Sequence, residues 1–183
     1  IDFDKKKILN ELSNFILERF KNFMREKGIR PDIIESSIIN YDLNNILIIY
    51  KKSFFLQKNI KKQVGRDLIE NYKRAFKILQ SENDTILKDI QGSPDPAIFK
   101  NDFEKLLYKK LNNIRNDLIS IKVENDFNSQ LLILCSVKKE LTDFFDNVIV
   151  NDSDEMLKKN RLELLKLLCK TYDSYINFTK VET

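Results

Sequence analysis

Cationic side chains on one predicted helix have a spacing that suits contact with phosphate. Lys62, Arg66, Lys73 and Lys77 follow one another at intervals of four, seven and four positions, and Arg74 lies beside them. This spacing places the first four on one side of a helix, opposite its apolar residues. Such a basic row can hold a nucleic-acid backbone, but a lysine-rich helix face is also commonly no more than solvated surface. Both interpretations stay open at this point.

A second group of donors, Lys158, Asn160 and Arg161, lies near the start of the last predicted helix. A rotation of about 100° per residue puts Arg161 in the middle of that helix's buried face and Lys158 at its edge. A guanidinium there is costly unless it reaches an open end or pairs with an acid. Arg161 therefore either contacts a ligand or forms an ion pair with an acid such as Asp143 or Asp146. Such a pair would fix the junction between the last predicted helix and the segment before it.

Composition indicates the kind of fold that positions these groups. The 183 residues are 42% hydrophobic and 33% charged, with only three glycines and three prolines. This length allows one domain with a sizeable core, and the scarcity of turn residues favours long helices over a sheet. We expect a single all-α bundle of about six to seven helices over residues 1–183.

Apolar periodicity and capping residues predict where these helices lie. In the first helix, one face carries the apolar residues Ile8, Leu12, Phe15, Ile16, Phe20 and Phe23. The stretch SENDTILKDIQGSPDP, residues 81–96, is the main predicted loop, and its last two residues resemble an N-cap with proline in the first turn. The predicted helices run approximately over 8–23, 32–39, 42–54, 60–79, 96–118, 129–145 and 154–176.

The sequence argues against a self-contained enzyme. It has no histidine and none of the glycine-rich phosphate-binding motifs, and its two cysteines, Cys135 and Cys169, lack metal-ligand spacing. We interpret the cysteines as small core residues in a reducing cytoplasm. No stretch approaches the ~20 apolar residues of a membrane span, and the sequence begins with Ile1. We expect a domain cut from a larger cytoplasmic protein.

The charge balance permits a nucleic-acid partner without requiring one. The 32 basic and 28 acidic residues leave a net charge of +4, so the surface carries both signs. Only a local cluster of cations would create a binding surface.

One stretch at the last junction, FFDNVIVNDSDEMLKKNRLELLKLL, resembles the C-terminal signature of the β subunit of bacterial heterotetrameric glycyl-tRNA synthetase. Other segments resemble that family in the same order, namely ELSNFILERFKNFMREKGIRPDIIESSI, YKRAFKIL and IFKNDFEKLLYKKL. The resemblance covers nearly the whole chain. The sequence departs from the family pattern at Ser36, Lys77, Ile149, Asn151 and Lys158.

This resemblance implies a DALR-type anticodon-binding domain, an all-α bundle that contacts the anticodon region of glycine tRNA. It implies that glycine activation with ATP and magnesium belongs to the α subunit of a holoenzyme with two α and two β subunits. The chain itself would bind no cofactor and catalyse nothing alone. The residues expected to touch tRNA are Lys62, Arg66, Lys73, Arg74, Lys77, Lys158, Asn160 and Arg161. The alternative is a helical protein-interaction module that contacts another subunit without binding RNA.

Overall fold

A computed structural model describes residues 4–39, 42–122 and 126–182 of the chain. The α-helices are α1 (Lys5–Glu26), α2 (Pro31–Ser37), α3 (Ile46–Asn59), α4 (Gln63–Gln80), α5 (Asp84–Asp89), α6 (Asp102–Lys122), α7 (Phe127–Cys135), α8 (Lys138–Asn147) and α9 (Glu155–Asp173). Short 3₁₀ turns occupy Leu43–Asn45, Pro96–Ile98 and Phe178–Lys180. Every regular element within the described ranges is thus helical, which confirms the predicted all-α class. None of these helices combines enough length with enough apolar character to span a bilayer.

Helix α9 runs through the centre of the fold. It packs against α4 on one side and against α6 on another, and α6 in turn contacts α7 and α8. The ring of Tyr172 on α9 stacks on Tyr72 of α4 with 6.1 Å between centroids, and Phe178 packs on both. All three side chains are fully buried. Burial of their large apolar surfaces contributes strongly to holding the two helices together.

Helix α1 forms as predicted, but most of its apolar face is exposed. Phe20 and Met24 near its end are buried, whereas Leu12 and Phe15 are 50% and 58% exposed. Among the described elements, α1 packs chiefly on the short helix α2, so its first half has little to cover it. Periodicity identifies an amphipathic helix, but it does not show whether another element covers the apolar side.

The chain is divided into more and shorter helices than predicted, because capping residues act inside the predicted segments. Asn83 accepts a hydrogen bond from the Ile86 amide and begins α5 within the predicted loop. The helix predicted over 129–145 is broken at Ser136, which ends α7. Asp95 does act as a cap, but it caps the Pro96–Ile98 turn, and α6 begins only at Asp102.

Both cysteines are free thiols that pack with the core. Cys169 is buried within the core, and Cys135 is partly buried and packs against the core, as predicted. Desolvation by burial raises the pKa of each thiol to about 12, and the nearby carboxylates of Asp67 and Asp173 act in the same direction. The thiols therefore stay protonated near neutral pH, which makes them poor nucleophiles.

Gly65 permits the close approach of α4 to the end of α3. A Cβ atom there would lie 2.4 Å from the carbonyl oxygen of Asn59 and 2.8 Å from the Cα of Ile60. Because these are backbone atoms, they cannot move aside as the end of a side chain can. We expect Gly65→Ala to lower the free energy of unfolding by about 2 kcal/mol, measured by urea denaturation.

Gly28→Ala is the matched control for this substitution. Gly28 has φ of 77°, and an added Cβ would meet no atom within 4 Å, so only backbone strain is introduced. That strain costs about 1 kcal/mol. Equal or smaller destabilisation in Gly65→Ala would contradict the tight α3–α4 contact.

Candidate nucleic-acid interface

The guanidinium of Arg161 points into the protein and joins three parts of the chain. The residue is 5% exposed, and its Nε donates to Oε1 of Glu104 at 2.5 Å. Its Nη1 donates to the carbonyl oxygen of Ile149 at 2.8 Å and to Oδ2 of Asp152 at 2.7 Å. The position in the buried face agrees with the helical phase of the sequence. The acids are Glu104 and Asp152, however, and not Asp143 or Asp146.

Glu104 is fully buried and is satisfied on both carboxylate oxygens. Oε2 accepts from the amides of Lys100 at 2.8 Å and Asn101 at 3.0 Å, while Asn101 Oδ1 accepts from the Glu104 amide at 3.1 Å. This reciprocal pattern is a capping box at the start of α6. Because Oε1 binds Arg161, the same carboxylate fixes the start of α6 to α9.

The 149–152 junction is held to α9 through Asp152. Hydrogen bonds from the Asp154 amide and from Arg161 lower the pKa of the Asp152 carboxyl, so it remains ionised well into the acidic range. Asp154 in turn caps α9 by accepting from the amides of Met156 and Leu157, each at 3.1 Å. The predicted start of the last helix is therefore confirmed.

Asn160 and Glu163 of α9 hold the loop that follows α5. Asn160 accepts from the Asp95 amide at 2.7 Å and donates to the Asp95 carbonyl oxygen at 2.9 Å. Oε2 of Glu163 accepts from the amides of Gln91 and Ser93, each at 2.9 Å, and from that of Gly92 between them. Three consecutive loop amides thus converge on one carboxylate.

Gly92 allows the loop to approach α9 this closely. Its φ is 75°, and a Cβ atom there would lie 3.1 Å from the backbone nitrogen of Leu167. The left-handed backbone and the close contact both favour glycine at this position.

Three lysines extend these contacts along α9. Lys158 pairs with Glu82 at 2.9 Å, Lys159 pairs with Asp89 at 3.5 Å, and Lys170 Nζ donates to the Gln91 carbonyl oxygen at 2.6 Å. Together with Asn160, Arg161 and Glu163, they hold residues 82–104, which we call the 82–104 segment. The polar residues of the KKNRLE sequence therefore organise the fold around α9.

The basic row of α4 lies on its outer side, as its spacing predicts. Lys62, Arg66, Arg74 and Lys77 are exposed and Lys73 is half-buried, while Leu68, Ile69, Tyr72, Ala75 and Leu79 of α4 are buried. We call these five cations the α4 basic surface. Lys73 and Lys77 make no ion pair with any residue in the described ranges. Their ammonium groups are available to an anionic partner.

Two members of the α4 basic surface are tied locally. Lys62 Nζ donates to Asn59 Oδ1 at 3.0 Å, and Arg66 Nη2 donates to the Lys61 carbonyl oxygen at 2.9 Å. Both side chains remain exposed, and neither partner carries a charge. They keep their full positive charge toward solvent.

Arg74 links the α4 basic surface to the end of α8. Its guanidinium carbon lies 4.1 Å from the centroid of the Phe145 ring. Lys158 pairs with Glu82, two residues after α4 ends at Gln80. The C-terminal end of α4, the end of α8 and the start of α9 are therefore at the same end of the fold. Arg74 and Lys158 therefore lie toward this end, whereas Lys62 and Arg66 lie at the opposite end of α4.

Sequence reasoning missed Glu104 and Glu163. A signal existed for Glu104, since Asn101 and Glu104 have capping-box spacing before an apolar helix. Glu163 lies between Leu162 and Leu164, and a carboxylate inside so apolar a stretch is an indication of a buried partner.

Fold and surface together define an all-helical domain with a basic helix on its outside and a polar network around its central helix. The sequence pattern of the DALR anticodon binding domain matches residues 68–183, more than half of the chain, and the chain belongs to this family.

Curated relatives match over nearly the whole chain. It is 30% identical over 174 residues to the glycine–tRNA ligase β subunit of Rickettsia typhi, covering 94% of this chain and 24% of that protein. It is 26% identical over 182 residues to the corresponding subunit of Clostridioides difficile, covering 99% of this chain and 25% of that protein. It is 32% identical over 179 residues to the subunit of Rickettsia bellii, covering 97% of this chain and 24% of that protein. The chain spans about a quarter of the length of these relatives.

Proposed function

We propose that this chain is the anticodon-binding domain of a glycine–tRNA ligase β subunit and binds the anticodon region of glycine tRNA. The observation that carries the proposal is the family match over residues 68–183, a range that contains Lys73, Arg74, Lys77 and the whole of α9. The similarity to β subunits over nearly the whole chain supports residues 1–183 as one domain of a longer subunit.

On this proposal the domain supplies recognition and the holoenzyme supplies chemistry. ATP, magnesium and glycine are bound by the complete enzyme of two α and two β subunits, and the domain alone catalyses nothing. It holds tRNA while the acceptor end is charged elsewhere.

The α4 basic surface makes the backbone contacts. Its ammonium groups neutralise phosphates, which supplies affinity that depends on salt but little on sequence. Arg74 differs, because its planar guanidinium is already oriented by the Phe145 ring and can stack on an unpaired base or bind its edge.

Lys158, Asn160 and Arg161 have internal partners, so direct contact between these residues and RNA stays a prediction. Lys158 and Arg161 would each have to share a carboxylate partner with an RNA group, and Asn160 would have to release the Asp95 backbone. Their indirect contribution is to hold the 82–104 segment and the 149–152 junction against α9.

We expect Lys73→Ala combined with Lys77→Ala to weaken tRNA binding about tenfold or more at low salt. Two phosphate contacts would be lost, so the slope of log Kd against log salt should decrease by about 2. Fluorescence anisotropy with labelled glycine tRNA at several salt concentrations measures both quantities.

Lys105→Ala combined with Lys109→Ala is the matched control, because these exposed lysines are also four residues apart, on α6. Equal losses in the two double variants would mean that binding depends only on total charge. Unchanged affinity in the α4 variant would exclude the α4 basic surface as the interface. Equal affinity of the unaltered chain for unrelated tRNAs would contradict the recognition of glycine tRNA.

The second candidate function is a helical module that binds another subunit without RNA. The exposed apolar residues of α1, among them Leu9, Leu12 and Phe15, favour it. An apolar protein interface is much less sensitive to salt than contacts to phosphate. Tight, salt-insensitive binding to the α subunit together with no tRNA binding would favour this candidate.

A further inference from the structure

A cavity of about 550 Å³ lies between α3, α6, α7, the 82–104 segment and the C-terminal part of α9. Tyr172 of α9 faces α4, and at about 100° per residue Leu167, Lys170 and Ser174 are turned roughly to the opposite side. These three residues line the cavity. The cavity is therefore distinct from the α4 basic surface, and its size is in the range of sites for small molecules.

The walls of the cavity combine aromatic rings with positive charge. Phe127 and Tyr175 contribute the rings, and Lys52, Arg115 and Lys170 contribute the cations. Lys52 Nζ lies 5.3 Å from the Tyr175 centroid and 6.0 Å from the Phe127 centroid, so charge and rings share one wall. The described residues that line the cavity include neither aspartate nor glutamate. An anionic group is favoured there.

Arg115 has the most available cationic group of the three. It is exposed on α6, and it makes no ion pair or hydrogen bond with any residue in the described ranges. Lys52 and Lys170 already donate to the carbonyl oxygens of Ser174 and Gln91. A planar guanidinium can bind two oxygens of one phosphate or carboxylate at once.

Gln130 of α7 adds a polar group whose hydrogen bonding is incomplete. It lines the cavity, the residue is only 6% exposed, and its Nε2 has no hydrogen-bond partner within the described part of the protein. A buried donor without a partner is unfavourable. Because Nε2 itself is closed to solvent, the amide would have to rotate toward the cavity to meet an acceptor on a ligand, which would remove this cost. A side-chain amide next to aromatic rings is suited to bind the edge of a planar heterocycle.

We propose that this cavity binds a nucleoside monophosphate unit. Its phosphate is held by Arg115 with support from Lys52 and Lys170, its base packs against Phe127 or Tyr175, and Gln130 binds the edge of the base. The unit is either a free mononucleotide or an unpaired nucleotide of a bound RNA strand, and the second source rests on the proposed function. When its head group is bound by Arg115, a long aliphatic anion has only a hydrocarbon chain without acceptors to offer Gln130, and inorganic phosphate has no ring to pack.

The test is calorimetric titration of the chain with AMP, GMP, CMP, UMP and inorganic phosphate. We expect at least one mononucleotide to bind at least tenfold more tightly than phosphate. Arg115→Gln removes the positive charge, and Gln130→Met removes the amide while it keeps the volume of the side chain. Each substitution should weaken the binding of that mononucleotide at least fivefold. Circular dichroism checks that both variants fold. The Lys105→Ala and Lys109→Ala double variant is the control, because neither lysine lines the cavity, and its mononucleotide affinity should be unchanged.

Titration of the same proteins with glycine tRNA distinguishes the two sources. If an RNA strand supplies the nucleotide, Arg115→Gln and Gln130→Met both weaken tRNA binding; if the ligand is a free mononucleotide, tRNA affinity is unaltered while mononucleotide affinity falls. The proposal is overturned if neither substitution changes the affinity for either ligand, or if phosphate binds as tightly as every mononucleotide and tRNA affinity is unchanged. Loss of the proposed function is a separate result, namely the absence of tRNA binding by the unaltered chain.

Discussion

Replacement of Arg161 by alanine should lower the free energy of unfolding by about 3–5 kcal/mol, because Glu104 would remain buried without its cation. The carboxylate would keep its two backbone amides at Lys100 and Asn101 but lose the charge that balances it. The 149–152 junction would also lose its two hydrogen bonds to the guanidinium. Urea denaturation followed by circular dichroism measures the change.

Arg161→Lys should also be clearly destabilising, because one ammonium group cannot reproduce the forked geometry that reaches three acceptors. Lys159→Ala is the matched control, since its 3.5 Å pair with Asp89 is exposed, and it should change stability by less than about 1 kcal/mol. Adding Glu104→Gln to Arg161→Ala should restore part of the loss, because the unpaired charge is gone.

Arg161 is primarily a clamp if the variant is unstable but its folded fraction binds tRNA normally. Unchanged stability together with a large loss of tRNA affinity would instead establish a direct recognition role. Measuring both quantities on the same protein samples separates these cases.

Replacement of Glu163 by alanine should lower the free energy of unfolding by about 2–4 kcal/mol. Hydrogen bonds to a charged group contribute roughly 1.5–3 kcal/mol each, but water can partly replace the carboxylate at this loop. The amides of Gln91, Gly92 and Ser93 would lose their shared acceptor, and the loop would separate from α9. Urea denaturation gives the total, and amide hydrogen exchange locates the effect.

Glu163→Gln should be milder than the alanine variant, because one amide oxygen remains to accept hydrogen bonds. Glu155→Ala removes an exposed carboxylate from the first turn of the same helix and should cost no more than about 1 kcal/mol. Continued protection of the 91–93 amides in Glu163→Ala would show that another group holds the loop.

Local rules predicted the fold class and several helix ends correctly. Asp154 caps α9, and the phase of α9 turns Arg161 inward, since both depend only on neighbouring residues. The partner of Arg161 was not predictable in the same way, because Glu104 lies 57 positions away in sequence. Helical phase determines the direction of a side chain, and only tertiary packing determines what it meets.

The two candidate sites differ, for the same reason, in how far they could be predicted from the sequence. The α4 basic surface belongs to a single helix, so residue spacing was sufficient to predict its exposed side. The cavity is built from residues as distant as Lys52 and Tyr175, each of which lies in an unremarkable sequence context. Gln130 could not be distinguished from an ordinary surface glutamine until its burial was known.

The central position of α9 has a consequence for synthesis of the protein on the ribosome. Helix α4 ends at Gln80. Its partner α9 and the buried residues Phe178 and Val181 are complete only when about 100 more residues have been synthesised. At about 5–20 residues per second, this takes roughly 5 to 20 s. Throughout that interval the apolar side of α4 lacks its main partner, so the nascent chain exposes apolar surface of the kind that chaperones bind. Slow codons between residues 81 and 181 would lengthen that exposure.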